Sequence, residues 1–311
     1  MFTEKHQRAR WFFSEASEAL SRGDNEYAKD CLDKAHALLS PQSESVEELD
    51  DLSCILLLKS ICDATPVESA KFLKESIRIE ENLLGSRKPF EATFSCANLA
   101  SKYNLLGDHS KAIGYADRVD IENVVEVRGM PDILFSLYET YTSIRGRNDS
   151  RGKESLEKAI RIAERFDDYQ KCVAACIELA HIALHYGKDK ASAFSYCEKA
   201  WTLETWDGIK GNLGVLHDIC KTAWDCIPKD KGVTWTSNTL AALAALMESD
   251  YMSPEIAKMY LISVYTLELK NPDKEKSRGS LVEKCLLVLG NDRKILKACM
   301  SEAALRAKSY L

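Results

Sequence analysis

The residues of this chain best placed for chemistry are two histidines four apart. In Glu178-Leu-Ala-His181-Ile-Ala-Leu-His185, a helix would bring both imidazoles to one face, where two ring nitrogens could chelate a metal ion. The neighbouring residues argue against that use. A zinc protease needs a glutamate directly after the first histidine, and Ile182 stands there. A di-iron carboxylate centre needs a second Glu-x-x-His and further glutamates, and the sequence has no such pattern. Cys172 and Cys176 share a helical face one turn before Glu178, but a mixed Cys/His site would spread its ligands over several turns. His181 and His185 therefore read as residues that edge a binding surface or hydrogen-bond locally.

Other chemical patterns are weaker still. Gly208-Ile-Lys-Gly211-Asn-Leu-Gly214 precedes a helix but has neither a preceding strand nor dinucleotide spacing, so it reads as a loop and a helix start. A Walker loop and a G-x-S-x-G elbow are both missing from the sequence. Five carboxylates between Glu44 and Asp51 sit at the start of a helix, where negative charge suits the positive end of the dipole. Arg145, Arg147, Arg151 and Lys153 crowd one turn; such a cluster could touch phosphate, but a solvated loop explains it as well. No catalytic constellation, metal or cofactor is expected.

Composition narrows the function classes. The 311 residues carry a formal charge of −6, which gives no electrostatic reason to approach nucleic acid or an anionic membrane. Hydrophobic residues make up 45% and charged residues 29%, a globular balance. No apolar run approaches the length needed to cross a bilayer, and the N-terminus lacks the order of a signal peptide. Eleven cysteines are scattered with no C-x-x-C. Most are expected on apolar stripes (Cys54, Cys96, Cys176, Cys220), packing as reduced, small hydrophobes. A cytoplasmic location follows as the expectation. Seven prolines and fourteen glycines are few for this length and favour long helices.

What would position the candidate residues is a repeat. Phe94-Ser-Cys-Ala-Asn-Leu-Ala-Ser-Lys-Tyr-Asn-Leu-Leu is an amphipathic stretch, followed by Gly107-Asp108 and then a second amphipathic stretch. Ala100 and Ala112 fall one on each helix, where two backbones approach closely. Second-helix anchors recur at Ala35, Ile77, Val119, Ala159, Ala200 and Ala242, at intervals of 42, 42, 40, 41 and 42 residues, then near Cys285. First-helix positions recur at Ala16, Leu58, Ala100, Tyr138, Ala180, Ala223 and Tyr265. Turn signals fall between them, as at Gly23-Asp24, Thr65-Pro66, Gly146, Gly187, Pro228 and Asn271-Pro-Asp273. The spacing predicts seven hairpins over about 4–40, 46–84, 90–123, 131–166, 169–205, 212–248 and 254–290. A closing helix over 292–310, with Ile295, Ala298, Cys299, Ala303 and Leu305 on one side, would cap the array.

Leu99-Ala100, Tyr103, Gly107-Asp108, Ala112 and Ala116 resemble the small, aromatic and turn positions of the tetratricopeptide repeat family. Weaker marks surround Ala16, Gly23, Ala28 and Ala35, and Leu179-Ala180, Gly187 and Lys199-Ala200. The run from Ser76 to Ala92, continuing into Asn98-Leu-Ala, is similar to the longer repeats of kinesin light chains, which also run to about 42 residues. The resemblance covers 67–118 most closely and fades beyond 210, where hairpins six and seven match mainly in spacing. It implies an all-α, right-handed superhelical solenoid whose first helices line a concave groove, and a function in binding a protein or peptide.

With Leu99, Ala100 and Tyr103 facing the second helix, a neighbouring stripe should face that groove: Phe94, Ala97, Ser101 and Asn104. Carried along the repeat, it includes Leu52, Ile55, Lys59 and Cys62; Asp132, Phe135, Glu139 and Thr142; Ala174, Ile177, His181 and Leu184; and His217, Cys220, Trp224 and Ile227. The candidate partner-binding residues are thus Phe94, Ser101, Asn104, Phe135, Glu139, Ile177, His181, His185 and Trp224, a mixed surface suited to a partly apolar segment. The stripe offers only Lys59 as a cation, so the carboxylate clamp of chaperone-binding members looks absent. The leading expectation is an adaptor or scaffold without catalytic activity. A sensory regulator binding a signalling peptide or small effector is the alternative, and a helical enzyme or metal-binding protein a more distant one. No sequence feature sets the oligomeric state.

Overall fold

A computed structural model describes residues 3–62, 65–204, 212–270 and 279–310. The described residues are all-α, with fifteen α-helices and no strand. In chain order they are α1 (Glu4–Ser21) and α2 (Asn25–Leu38), α3 (Val46–Cys62) and α4 (Pro66–Leu84), α5 (Pro89–Leu106) and α6 (His109–Ala116), and α7 (Met130–Arg145) and α8 (Ser150–Arg165). There follow α9 (Tyr169–Ile182) and α10 (Lys190–Glu204), α11 (Leu213–Trp224) and α12 (Gly232–Met247), α13 (Pro254–Lys270) and α14 (Gly279–Val288), and the closing α15 (Arg293–Ser309). The expected Gly208 breaker and the Asn271-Pro-Asp273 turn lie outside the described residues.

One local device recurs at the turns. Gly107 takes φ 82°, a left-handed conformation open to glycine at little cost. The following Asp108 donates its backbone N–H to the carbonyl of Tyr103 at 3.0 Å, closing α5. The Asp108 carboxylate then accepts from the Lys111 N–H at 3.1 Å, opening α6. Gly23-Asp24 repeats the arrangement between α1 and α2, with φ 76° at the glycine and the Asp24 carboxylate 3.1 Å from the Tyr27 N–H. Asp167-Asp168 performs the same turn between α8 and α9 without glycine, Asp167 adopting φ 55°. Between α9 and α10 the stop differs: Ala183–Gly187 winds as a π-helix before Lys188 turns left-handed at φ 53°.

The chain divides into two compact units, Met1–Lys158 and Ala159–Leu311. In the first, successive helices pair and neighbouring hairpins stack. Small residues sit where backbones meet: Ala9, Ala16, Ala28, Ala35, Ala100 and Ala112 are fully buried. Around them pack Leu32, Leu52, Ile55, Leu56, Ile79 and Leu83 in one cluster, and Leu73, Ile77, Leu99 and Tyr103 in another. Each such large apolar side chain contributes roughly 1.5–3 kcal/mol when withdrawn from water. In the second unit, Ala180, Ala200 and Ala223 are likewise fully buried. A large cluster there joins Leu243, Leu246, Met247, Ile256, Tyr260, Leu261 and Cys285.

Several expectations need correction. α6 ends at Ala116, so Val119 is not on a helix; it is 1% exposed within an irregular segment that also buries Ile121 and Val124. That segment is held by the basic cluster expected to be solvated: Arg145 pairs with Asp117 at 2.9 Å, and Arg151 donates to the Val119 carbonyl at 3.0 Å. Leu58, Ala242 and Tyr265 are half-buried rather than core anchors. In α12 the core position is the adjacent Leu243, a one-residue slip that rotates the face by about 100°. Of the eleven free cysteines nine are buried, but Cys54 is exposed and Cys62 intermediate. On α15, Cys299, Ala303 and Ala307 face inward, whereas Ala298 is exposed and Leu305 is 64% exposed.

Candidate functional site

Within the first unit α5 and α7 lie side by side, and Ser143 of α7 donates a hydrogen bond to the Asn104 side-chain oxygen at 2.9 Å. Phe94, Ser101 and Asn104 on α5 and Phe135 on α7 are all half-buried, and Glu139 is exposed. Phe94 meets Phe90 edge to face, ring centres 5.1 Å apart, and Phe90 is 41% exposed. These five candidate residues therefore occupy two neighbouring first helices, offering aromatic area, a hydroxyl, an amide and a carboxylate without a dominant charge.

The same stripe fails in the preceding hairpin. Leu52 and Ile55 of α3 are fully buried, and Lys59 is 8% exposed. Lys59 pairs with Asp33 of α2 at 2.6 Å and lies 4.5 Å from the centre of the Phe72 ring on α4. It is committed to the core and cannot serve as a groove cation. Burial, and then the neighbouring Lys59 ammonium 3.3 Å away, hold His36 below the ordinary histidine pKa. Ala97, too, is fully buried. The carboxylates at the start of α3 are occupied as well: Asp51 accepts from the buried His6 at 2.6 Å, and Asp50 pairs with Arg87.

In the second unit, Ile177 and His181 are half-buried on α9 and His185 is exposed on the π-helical turn. The two imidazole rings lie 6.0 Å apart and are tilted by 50°. Among the described residues no group of three or more His, Cys, Asp or Glu side chains could hold a metal ion. Cys172 and Cys176 are buried and bonded to each other, the hydrogen bond from Cys176 holding the Cys172 thiol low. Trp224, at the end of α11, is half-buried because its own chain covers it. The Arg306 guanidinium of α15 lies 4.1 Å from the ring centre, and Ile262, Cys299 and Ala303 pack beside it. Cys220 of the same stripe is 2% exposed.

Two features escaped the sequence reading. The first is a buried polar network in which Lys102 of α5 pairs with Glu80 of α4 and donates to Ser53 of α3 at 2.7 Å. A lysine in the middle of an amphipathic helix gives no local sign of burial. The second is the placement of α15, whose partner surface is formed by residues far away in sequence. No helix among the described residues is long and apolar enough to cross a membrane.

No protein-family model matches the chain, and no curated protein matches it. Among solved structures it is similar to a Podosopora anserina protein of nearly identical TPR-like repeats of kinesin light chain kind. That likeness runs at 16% identity, 67% coverage of this chain, 100% of the other and a TM-score of 0.46. It is also similar to a tetratricopeptide repeat protein from Parabacteroides merdae, with 13% identity, coverage of 96% and 99%, and a TM-score of 0.39. The solved chains to which this one is similar are thus tetratricopeptide-like repeat proteins.

Proposed function

We propose that the chain is a non-catalytic adaptor that binds a protein or peptide segment along its first helices. The observation that carries this reading is the mixed, half-exposed row on adjacent helices: Phe94, Ser101 and Asn104 of α5 beside Phe135 and Glu139 of α7. Aromatic rings held by rigid helices give apolar contact at low entropic cost, while the amide, hydroxyl and carboxylate can fix the register of a bound segment. Near-neutral balance on this row suits a partly apolar partner better than a strongly charged one.

The test is a photo-crosslinking side chain placed in the full chain at Ser101, with Lys74, exposed on α4, as the control position. The expected result is a discrete adduct from position 101, none from position 74, and loss of the adduct in a Phe94→Ala/Phe135→Ala chain. Equal labelling from both positions, or an adduct indifferent to the two phenylalanines, would overturn the assignment.

A further inference from the structure

The second unit carries a surface that is already filled. α15 packs along α13, the first helix of hairpin seven, and its C-terminal end reaches α11 and α12 of hairpin six. Arg306 covers the Trp224 ring and donates to the Trp224 carbonyl at 3.4 Å. Its guanidinium is steadied by Glu302 at 2.8 Å and by the Tyr310 hydroxyl at 3.2 Å. The Tyr310 ring lies so close to Gly232 that a β-carbon there would fall 2.2 Å from it. Cys299 and Ala303 seat against Ile262.

The grip has an unusual character. The three residues that α15 buries, Cys299, Ala303 and Ala307, are small, while its larger apolar side chains Met300 and Leu305 are 51% and 64% exposed. By comparison α13 buries nine residues, among them Tyr260, Leu261 and Val264. Little apolar area therefore holds α15 in place, and the specific contacts are those of Arg306 and Tyr310. The link from α14 is short, with two consecutive left-handed residues, Gly290 at φ 67° and Asn291 at φ 54°. A helix tethered this closely acts at an effective concentration in the millimolar range, so a weak intrinsic fit is enough to keep the face covered.

We propose that the Trp224–Ile262–Gly232 face is a receptor for an amphipathic helix, and that α15 is its resident occupant, displaced by a partner helix of the same design. The partner is defined by what the face now holds: small residues repeating every four positions, an arginine that stacks on Trp224, and an aromatic ring a turn later that meets Gly232. This rests on the peptide-binding reading above and adds the partner's chemistry and an in-chain competitor.

The test uses the full chain and a labelled synthetic peptide of residues 292–310. Ala303→Glu places a carboxylate in the seam of α15 and leaves the receptor face unaltered; Arg306→Gln removes the Trp224 contacts more gently and serves if the first variant misfolds. Expected are loss of amide protection confined to α15 and at least about tenfold tighter peptide binding than wild type, which corresponds to about 1.4 kcal/mol. Adding Trp224→Ala should abolish that gain. If α15 stays protected in both variants, or an opened chain with intact α11–α13 protection ignores the peptide, the proposal fails. A wild-type dimer that exchanges α15 and resists the peptide would assign the face to a second copy and equally overturn it. None of these outcomes alters cross-linking at Ser101, so the two readings fail separately.

Discussion

Lys102 on α5 and Glu80 on α4 form an ion pair with side-chain exposures of 2% and 5%, and their helices belong to different hairpins. Ser53 joins the pair from α3, so three helices share one desolvated network. Taking both charges out of water is costly, and removing one of them leaves the other unpaired in a low-dielectric interior. Lys102→Ala should accordingly destabilise the chain by about 3–5 kcal/mol, seen as a lower urea midpoint. The double variant Lys102→Met/Glu80→Leu should recover most of that loss. A double variant no more stable than the single would mean that the network stabilises through its hydrogen bonds, not merely by pairing charge.

The Gly-Asp turn gives a prediction of opposite signs at two glycines. A β-carbon at either Gly107 or Gly85 would meet nothing within 4 Å, so space does not distinguish them. Conformation does: Gly107 has φ 82°, and Gly85 has φ −66°. Gly107→Ala should cost about 1–2 kcal/mol through left-handed strain. Gly85→Ala should stabilise by about 0.4–1 kcal/mol by restricting the unfolded chain. Paired thermal melts decide the matter, and equal shifts would refute the conformational account.

His36 supplies a pH dependence. Burial and Lys59 lower its pKa in the fold, so the folded chain favours the neutral imidazole. As pH falls through the ordinary histidine value near 6.5 the unfolded chain takes up the proton first. The stabilisation is present above that value and is lost as the solution is acidified. Urea midpoints measured at about pH 7.5 and about pH 5.5, on either side of that value, should fall less in His36→Gln than in wild type. Equal falls would mean that His36 does not contribute to the acid sensitivity.

Legibility from sequence followed the range of the interaction. Gly23-Asp24 and Gly107-Asp108 announce their turns because the left-handed residue and the helix cap are chosen by neighbours within five positions. Buried Ala16, Ala100, Ala180 and Ala200 follow from the same short-range logic of two backbones in contact. The binding stripe was harder to read, because a helix turns about 100° per residue and a copied offset keeps its meaning only while successive helices keep the same rotation. α3 does not, and Leu52, Ile55 and Lys59 therefore point into the core. Trp224 needed knowledge of Arg306, 82 positions later. Nothing near α11 encodes that meeting.

The π-helical turn at Ala183–Gly187 has a further consequence. A π turn holds one residue more than the α turn it replaces, so it amounts to an insertion carried without breaking the helix. Deleting a single residue there should let α9 revert to ordinary winding while α10 keeps its seat. At Gly107-Asp108, where every atom of the turn is assigned, the same deletion would pull the two helices out of step. Hairpin five is therefore the place where this array can change length by one residue and remain an array, and His185 is the side chain whose heading that change would reset.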